Sequence, residues 1–488
     1  MGPALVSLSS ASPHGPAETV ASDSIGLHQR LAIVFVSAYA VLLLAAGVGQ
    51  ITDPFVHYDD YPALVLDPDG YYLKTLAEGR WFNYWWHLRG IATPAWLNFQ
   101  LYLAGWALFV SAAALNIFRT TEIRYPALLA ALAVVAPQTT LISGWFNTLV
   151  PGVWLMAAYA VMALVATPRV CRWLLFLFVP LAIQAYTPYP FLLLAICLLR
   201  EDRPRTIRDD LATLAAFVTA FALGILFIYT LNHMAHGIFG LALAEWRDPS
   251  PVTDFDSLVA NLSKVSESLH WTYVMTGFGK PGFSLVLSLA FVASLVVIAR
   301  TGTLELLRVI APAAAGLSLL CLHAWMEGIL FPFRSTYILW FTMAIALVKA
   351  AHIVELDGKR RTSAPLALVL MLALVAGVFA RTHSQSLSVW QRESRALALQ
   401  ITATDTIYVY GTHLAAHGYD GSYAQMPRDL QYRLTHLTGV WAYMCTLDPN
   451  LCARAAPPFD PAEKVQEPRI NNVGAVTYLR TPITVPPR

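Results

Sequence analysis

The chain has 488 residues, of which 57 % are hydrophobic and 13 % charged, with a formal net charge of +2 and a mean hydropathy of +0.54. A soluble protein of this length carries roughly a quarter charged residues, so these proportions exclude a soluble enzyme as well as disordered, coiled-coil and collagen-like chains, and predict an all-α polytopic membrane protein. The small net charge argues against a nucleic-acid partner, and five cysteines are too few for a disulfide scaffold.

Residues 1–29, rich in Ser, Ala, Pro and Gly, read as a disordered cytoplasmic tail. The first apolar run, from Leu31 to about Gln50, exceeds the ~7–15 residues of a signal-peptide core and reads as a retained anchor. Further runs at 95–117, 125–143, 148–166, 173–187, 189–199, 211–231, 282–299, 309–326, 336–351 and 364–380 bring the expected spans to eleven, within a membrane domain over 30–381. The two that flank Ala185-Tyr-Thr-Pro-Tyr-Pro190 are short for a bilayer of about 30 Å and read as tilted spans or a broken helical hairpin.

Basic residues recur in every second loop: Arg119 and Arg124, Arg169 and Arg172, Arg200, Arg203, Arg205 and Arg208, Arg300 and Arg308, then Lys359, Arg360 and Arg361. The positive-inside rule then places these loops and the amino terminus in the cytoplasm. Loops 51–94, 232–281 and 327–335, with the tail 382–488, fall on the outer face. No GxxxxGK[ST] motif occurs and the cytoplasmic connectors are short, so an ATP-driven pump is not expected, and no internal repeat of the transporter kind is visible.

The first outer loop holds Asp59 and Asp60, framed by Pro54 and Pro62. Adjacent carboxylates repel each other, which raises one pKa toward the range of a general base; a solvated acidic pair is the bland alternative. Asp67-Pro68 and Gly79 bracket a short helix whose Tyr72, Leu73, Leu76 and Ala77 form an apolar face, with Lys74 and Glu78 opposite, so the helix is expected to lie flat at the membrane interface. The aromatic cluster Trp81, Phe82, Tyr84, Trp85 and Trp86 anchors its far end.

In the 232–281 loop, Glu245, Arg247, Asp248, Asp254, Asp256 and Glu267 read as a solvated surface or an acceptor groove. The tail 382–488 is expected to be a small α+β domain, with strands at Asp405–Gly411 and Gly474–Leu479 and a helix within 423–444. Cys445 and Cys452 lie in it in an oxidising compartment; a disulfide is the expectation, with free thiols or zinc as alternatives. Cys171, Cys197 and Cys321 read as packing residues.

An Asp-Asp pair in the first outer loop, an interfacial helix, the step Gly79-Arg80-Trp81, many spans and a small outer tail together resemble the GT-C superfamily of membrane glycosyltransferases. The resemblance is greatest to the Gtr type II, serotype-converting O-antigen glucosyltransferases, whose span ends also resemble Ile183-Gln-Ala-Tyr-Thr-Pro-Tyr189. It implies a GT-C-like membrane fold in a bacterial inner membrane. It implies transfer of a hexose, glucose in that family, from a polyprenyl-phosphate donor to an outer-face glycan or lipid such as O-antigen or lipopolysaccharide, with a donor synthase and a flippase acting upstream. Asp59 and Asp60 would then serve as base or hold the acceptor.

A phosphate leaving group needs a cation, and Arg334, in the short outer loop Glu327-Gly-Ile-Leu-Phe-Pro-Phe-Arg-Ser335, is the first choice; a pair with Glu327 or a lipid headgroup contact is the alternative. Arg80, Lys280, His233 and His323 are further candidates. A monophosphate can be matched by one or two such cations, so no cofactor is expected and a divalent metal is not favoured. Rival readings are a flippase or transporter of lipid-linked sugars, a polymerase or ligase of envelope polysaccharide, and an assembly subunit. The near absence of ionisable residues from mid-span and the few cations of loop 232–281 count against the first two.

Overall fold

The computed structural model of the chain describes residues 26–119, 122–202, 206–356, 364–411, 427–453, 455–461, 465 and 467–481. The expected tail lies outside them up to residue 25, as do Arg203, Arg205, Lys359, Arg360 and Arg361. Among the described residues nine helices are long and apolar enough to cross a membrane: Leu27–Thr52, Ala95–Ile117, Pro137–Val165, Pro168–Ala185, Ile207–His236, Pro281–Ala299, Thr303–Glu327, Phe333–Leu356 and Pro365–Ala398. Arg124–Val134 and Tyr189–Leu199, where two further spans are expected, are apolar helices too short for that criterion.

Both short helices are cut by proline. Ala136, before Pro137, takes ψ 140°, because the proline ring disfavours the helical region for its predecessor. Tyr186, ahead of Pro188 and Pro190, is likewise extended. The turn after Ala185 is also recessed: Gly152, six residues into the helix that starts at Phe146, lies so close that a Cβ there would come within 2.7 Å of the Ala185 Cβ. At about 1.5 Å per residue this sinks the turn roughly 9 Å below that helix's start. Tyr189–Leu199 therefore starts inside the bundle, and at its far end Arg200 Nη2 donates to Ala166 O over 2.9 Å.

The charges sort to two ends of the bundle. Arg119 and Arg200 pair with Asp202, Arg124 with Glu355, Arg172 with Asp209 and Arg308 with Asp210 at one end. Loops 51–94, 232–281 and 327–335 and the C-terminal domain meet at the other. There Arg247 Nη2 is 3.0 Å from Glu78 Oε1, Ser250 N donates to Glu327 O and Tyr58 N to Asp429 Oδ1.

The helix Ala364–Ala398 runs unbroken through the expected domain boundary at 381/382 and carries Leu387, Trp390 and Leu397 into the core of the C-terminal domain. Phe55, from the loop after the first helix, joins that core. The domain is a sheet of β1 (Thr406–Tyr410), β2 (Ala442–Met444), β3 (Arg469–Val473) and β4 (Val476–Arg480) in the order β2-β1-β4-β3, with β1 parallel to both neighbours and β3 antiparallel to β4. Of the helix expected within 423–444, residues 423–426 lie outside the described residues; Pro427–Thr438 is helical and the segment ends as a strand. Gly439, at φ +72°, ends it as a left-handed C-terminal glycine does. The strands expected at 405–411 and 474–479 are present, whereas β2 and β3 were not expected.

Cys445 and Cys452 form a disulfide at the end of β2. Closing so short a loop contributes at most about 2–3 kcal/mol. Cys445→Ser with Cys452→Ser is expected to lower the unfolding free energy of the domain by that amount and leave the membrane helices in place, measured by denaturant unfolding of the full chain with and without reductant.

Candidate functional site

The segment that follows the first helix is pinned before it reaches the acidic pair. Gln50 Oε1 accepts from Phe55 N, and Gly144 O accepts from His57 N over 2.9 Å. A single 3-10 turn, Tyr58–Asp60, then directs the two carboxylates to different neighbours.

Asp60 is fully buried. It accepts from Asn147 N and Nδ2, both at 2.8 Å, and from Thr148 N at 2.7 Å. Those two amides belong to the first turn of the helix starting at Phe146, whose N-cap residue, Trp145, has no side-chain oxygen to offer. Asp60 thus caps that helix from a distant part of the chain. Burial pushes its carboxyl up to about 6, against the pull of its Thr148 and Asn147 donors.

Asp59 keeps a partly exposed carboxylate with three partners. His57 Nδ1 and Trp145 Nε1 each lie 2.5 Å from Oδ1, and Lys74 Nζ pairs with Oδ2. Burial would raise its pKa, but Lys74 and His57 outweigh burial and hold it well below the usual carboxylate range. A base that weak takes a proton poorly on its own. Its geometry suits it better to orient His57, whose Nδ1 it engages, leaving Nε2 for a substrate proton.

Trp145 joins this pair to the cation. The His57 ring stacks on it at 4.1 Å between centroids, and the Arg334 guanidinium lies 4.6 Å from its centroid. Among the described residues no carboxylate forms an ion pair with Arg334, Glu327 included. Arg334 instead lines a narrow cleft with Tyr102, Trp106, Gln138, Thr139, Tyr186, Pro188, Tyr189 and Tyr337, closed on its apolar side by Ile142, Leu192 and Ile338. The recessed turn after Ala185 supplies three of those residues. A second cleft shares Tyr102, Trp106 and Thr139 with it and continues along Leu42, Ala45, Ala46, Phe99, Leu103 and Ala380. Among the described residues Gln138, fully buried, has no hydrogen-bond partner for its Oε1.

The other expected cations are placed differently. Arg80 bonds Glu78 through Nε at 3.1 Å, donates to Ala185 O at 2.7 Å and lies over the Tyr186 ring, so it is held by partners within the protein. Glu78 also pairs with Arg247; burial would raise its pKa, but Arg80, Lys74 and Arg247 hold it at about 2. Lys280 is exposed at the start of Pro281–Ala299, and His233 and His323 are exposed on their helices; none of the three lines either cleft. Among the described residues no three His, Cys, Asp or Glu side chains gather as a metal site.

The short helix of the first loop, Asp69–Glu78, ends at Gly79, which has φ +68° and no room for a Cβ beside Ile228. Its charged side faces the protein. Tyr71 and Thr75 are buried, and Lys74 and Glu78 point at Asp59 and at Arg80. Leu73 is 72 % exposed. The three- and four-residue spacing that makes one face apolar makes the other polar, and beside a polar site inside a membrane protein the polar face turns inward.

Helix Pro427–Thr438 of the C-terminal domain buttresses the segment from outside. Asp429 Oδ1 accepts from Tyr58 N at 2.6 Å, and Arg433 meets both oxygens of Asp53 at 3.0 and 2.6 Å. Both side chains are buried. His57 and Trp145 had no assigned role in the sequence. The available signals were a His two residues before Asp59 and a Ser143-Gly-Trp145 break between two apolar runs.

Fold and site define a multi-pass helical membrane protein with an α+β domain seated on a charged, aromatic site at one end of its helices. No family model matches the chain, and no curated protein matches it either.

Proposed function

We propose that the chain is a GT-C-like glycosyltransferase that transfers a hexose from a polyprenyl-phosphate donor to a glycan or lipid acceptor on the outer face of a bacterial inner membrane. In this reading the chain crosses the membrane eleven times with its amino terminus inside, the two short helices included. The supporting observation is the placement of Arg334. An arginine with no carboxylate partner among the described residues, in a cleft of aromatic, hydroxyl and aliphatic side chains, suits a phosphate. The adjoining apolar cleft suits the first isoprene units of a lipid tail.

The acceptor hydroxyl attacks the anomeric carbon of the donor, the bond from that carbon to the phosphate oxygen breaks, and the lipid phosphate departs with the electron pair. Arg334 stabilises the charge that develops there. The hydroxyl proton passes to His57 Nε2, and Asp59 stabilises the imidazolium through Nδ1.

The test uses purified protein with a polyprenyl-phosphate hexose and chelator present. Transfer is expected without a partner protein. Arg334→Ala is expected to raise the donor KM at least about tenfold, equal to ~1.4 kcal/mol of lost binding, and to leave the acceptor KM unchanged. Arg334→Lys recovers part of the loss. Activity from a nucleotide sugar in membranes stripped of polyprenyl lipid would refute the donor. Equal effects of Arg334→Ala on both substrates would refute the role of Arg334.

A further inference from the structure

The C-terminal sheet has a face that its own core leaves unused. Ile407, Val409, Ala442 and Met444 are buried in that core, so by the alternation of a strand Tyr408, Trp441 and Tyr443 point to the opposite side. In register, Tyr408 stands between Tyr443 on β2 and Tyr478 on β4. Their ring centroids are 5.9 and 5.7 Å apart, and the planes lie within 27° and 24° of parallel.

The row continues beyond the sheet. Trp441 is 6.4 Å from Tyr443 and 6.0 Å from Tyr432, which in turn is 6.5 Å from Tyr58. Tyr58 immediately precedes Asp59. An unbroken line of rings therefore runs from the candidate site across the face of the domain. Trp441 is 45 % exposed, and Tyr58, Tyr432, Tyr443 and Tyr408 are partly exposed.

Cross-strand tyrosines by themselves are ordinary sheet pairs. Three observations point further. Trp441 is exposed and Tyr58, Tyr432, Tyr443 and Tyr408 are partly so, while Tyr478 at the far end is buried. The cation–π contacts of the described residues fall on other rings, and because Tyr408 stacks between Tyr443 and Tyr478 and Tyr432 on Tyr61, these tyrosines offer chiefly edges and hydroxyls beside the exposed Trp441. The row also ends at Asp59 and not at an arbitrary edge. Rings with apolar faces and hydroxyl rims suit pyranose units, whose C–H faces lie on the rings while their hydroxyls bond the phenols.

We propose that this row is a binding track for a neutral glycan chain, the acceptor, which seats successive sugar units on Tyr408, Tyr443, Trp441 and Tyr432 and brings a terminal hydroxyl to Asp59 and His57. The delivery step rests on the transferase reading; the binding of glycan does not.

The experiment uses the full chain in detergent and, as probe, the delipidated envelope polysaccharide of the bacterium that carries the gene, with binding read by saturation-transfer NMR. Wild-type protein is expected to bind it, and Trp441→Ala with Tyr443→Ala to bind at least about tenfold more weakly. In the transfer assay the same variant raises the acceptor KM by a similar factor and leaves the donor KM and kcat unaltered. Trp441→Phe restores most of the affinity. Asp59→Asn abolishes transfer and keeps the binding. Should the double variant fail to fold, Trp441→Ala alone, at a half-exposed position, carries the test with an expected loss of about threefold. Undiminished binding by a folded variant, or no binding by the wild type, overturns the track. Binding that depends on these rings in a protein that transfers no hexose leaves the track standing and removes the transferase reading.

Discussion

Asp59→Asn is expected to cut hexose transfer at least about a hundredfold, the usual range for loss of an acid–base group, with the protein still folded. Asn has the shape of Asp, still accepts from Trp145 Nε1 and sits at a partly exposed position, so packing changes little. What disappears is the negative charge that Lys74 and His57 face. An amide cannot hold the imidazole Nδ1–H and stabilise an imidazolium as a carboxylate does. His57→Gln separates two roles for Asp59. If His57 takes the proton, that variant falls as far as Asp59→Asn, and the double variant falls little further, because groups that act as a unit are not additive. If Asp59 acts directly, His57→Gln loses about tenfold or less. Near-normal turnover by Asp59→Asn would remove the carboxylate from the chemistry altogether.

The neighbouring substitution is expected to fail differently. Asp60→Ala leaves the amides of Asn147 and Thr148 and the Asn147 side chain without their acceptor in a fully buried position. Each buried orphan costs about 1–3 kcal/mol, so the sum is a large share of a protein's net stability. Asp60→Asn helps only in part, because its amide nitrogen would face donors. Both variants are expected to show a lower thermal midpoint in detergent, with Ala the worse, and any protein that survives keeps its donor KM. A midpoint equal to wild type for Asp60→Ala would show that the carboxylate does not hold this helix end.

This difference between adjacent residues marks how far the sequence could be read. Composition and apolar runs indicated the helices, because a span must satisfy its backbone internally and show lipid an apolar surface. The strands around Tyr408 and Tyr478 were visible in their β-branched and aromatic alternation, while β2 is three residues long and too short for a periodic signal. Asp59-Asp60 stood out as a charged pair near a membrane, yet their separate fates depend on Trp145 and Asn147, almost 90 residues away. Arg334 was legible as a cation on an apolar rim. The pairing of Arg80 depends on the side-chain direction of Glu78, two residues earlier, a carboxylate that Arg247 from another loop shares. That Lys74 and Glu78 lie opposite the apolar stripe was legible in their spacing, whereas their partners Asp59 and Arg80 were not. In a membrane protein lipid covers the outside, and the inside can be polar where a site lies.

The grip of helix Pro427–Thr438 on the segment after the first span also bears on how the protein is made. Asp429 and Arg433 close on Tyr58 and Asp53 across 371 and 380 residues of chain. A ribosome makes the acidic turn early, together with the first membrane helix, and its partners Lys74, Gly144 and Trp145 soon after, but makes the outer brace only after the membrane helices. Until then Asp59 sits on a loop that lacks this brace. A product truncated before Pro427 would contain every span and every acidic and basic residue named in the proposed mechanism and still lack the brace. Of the parts that hold the acidic turn, this brace is the last to be synthesised.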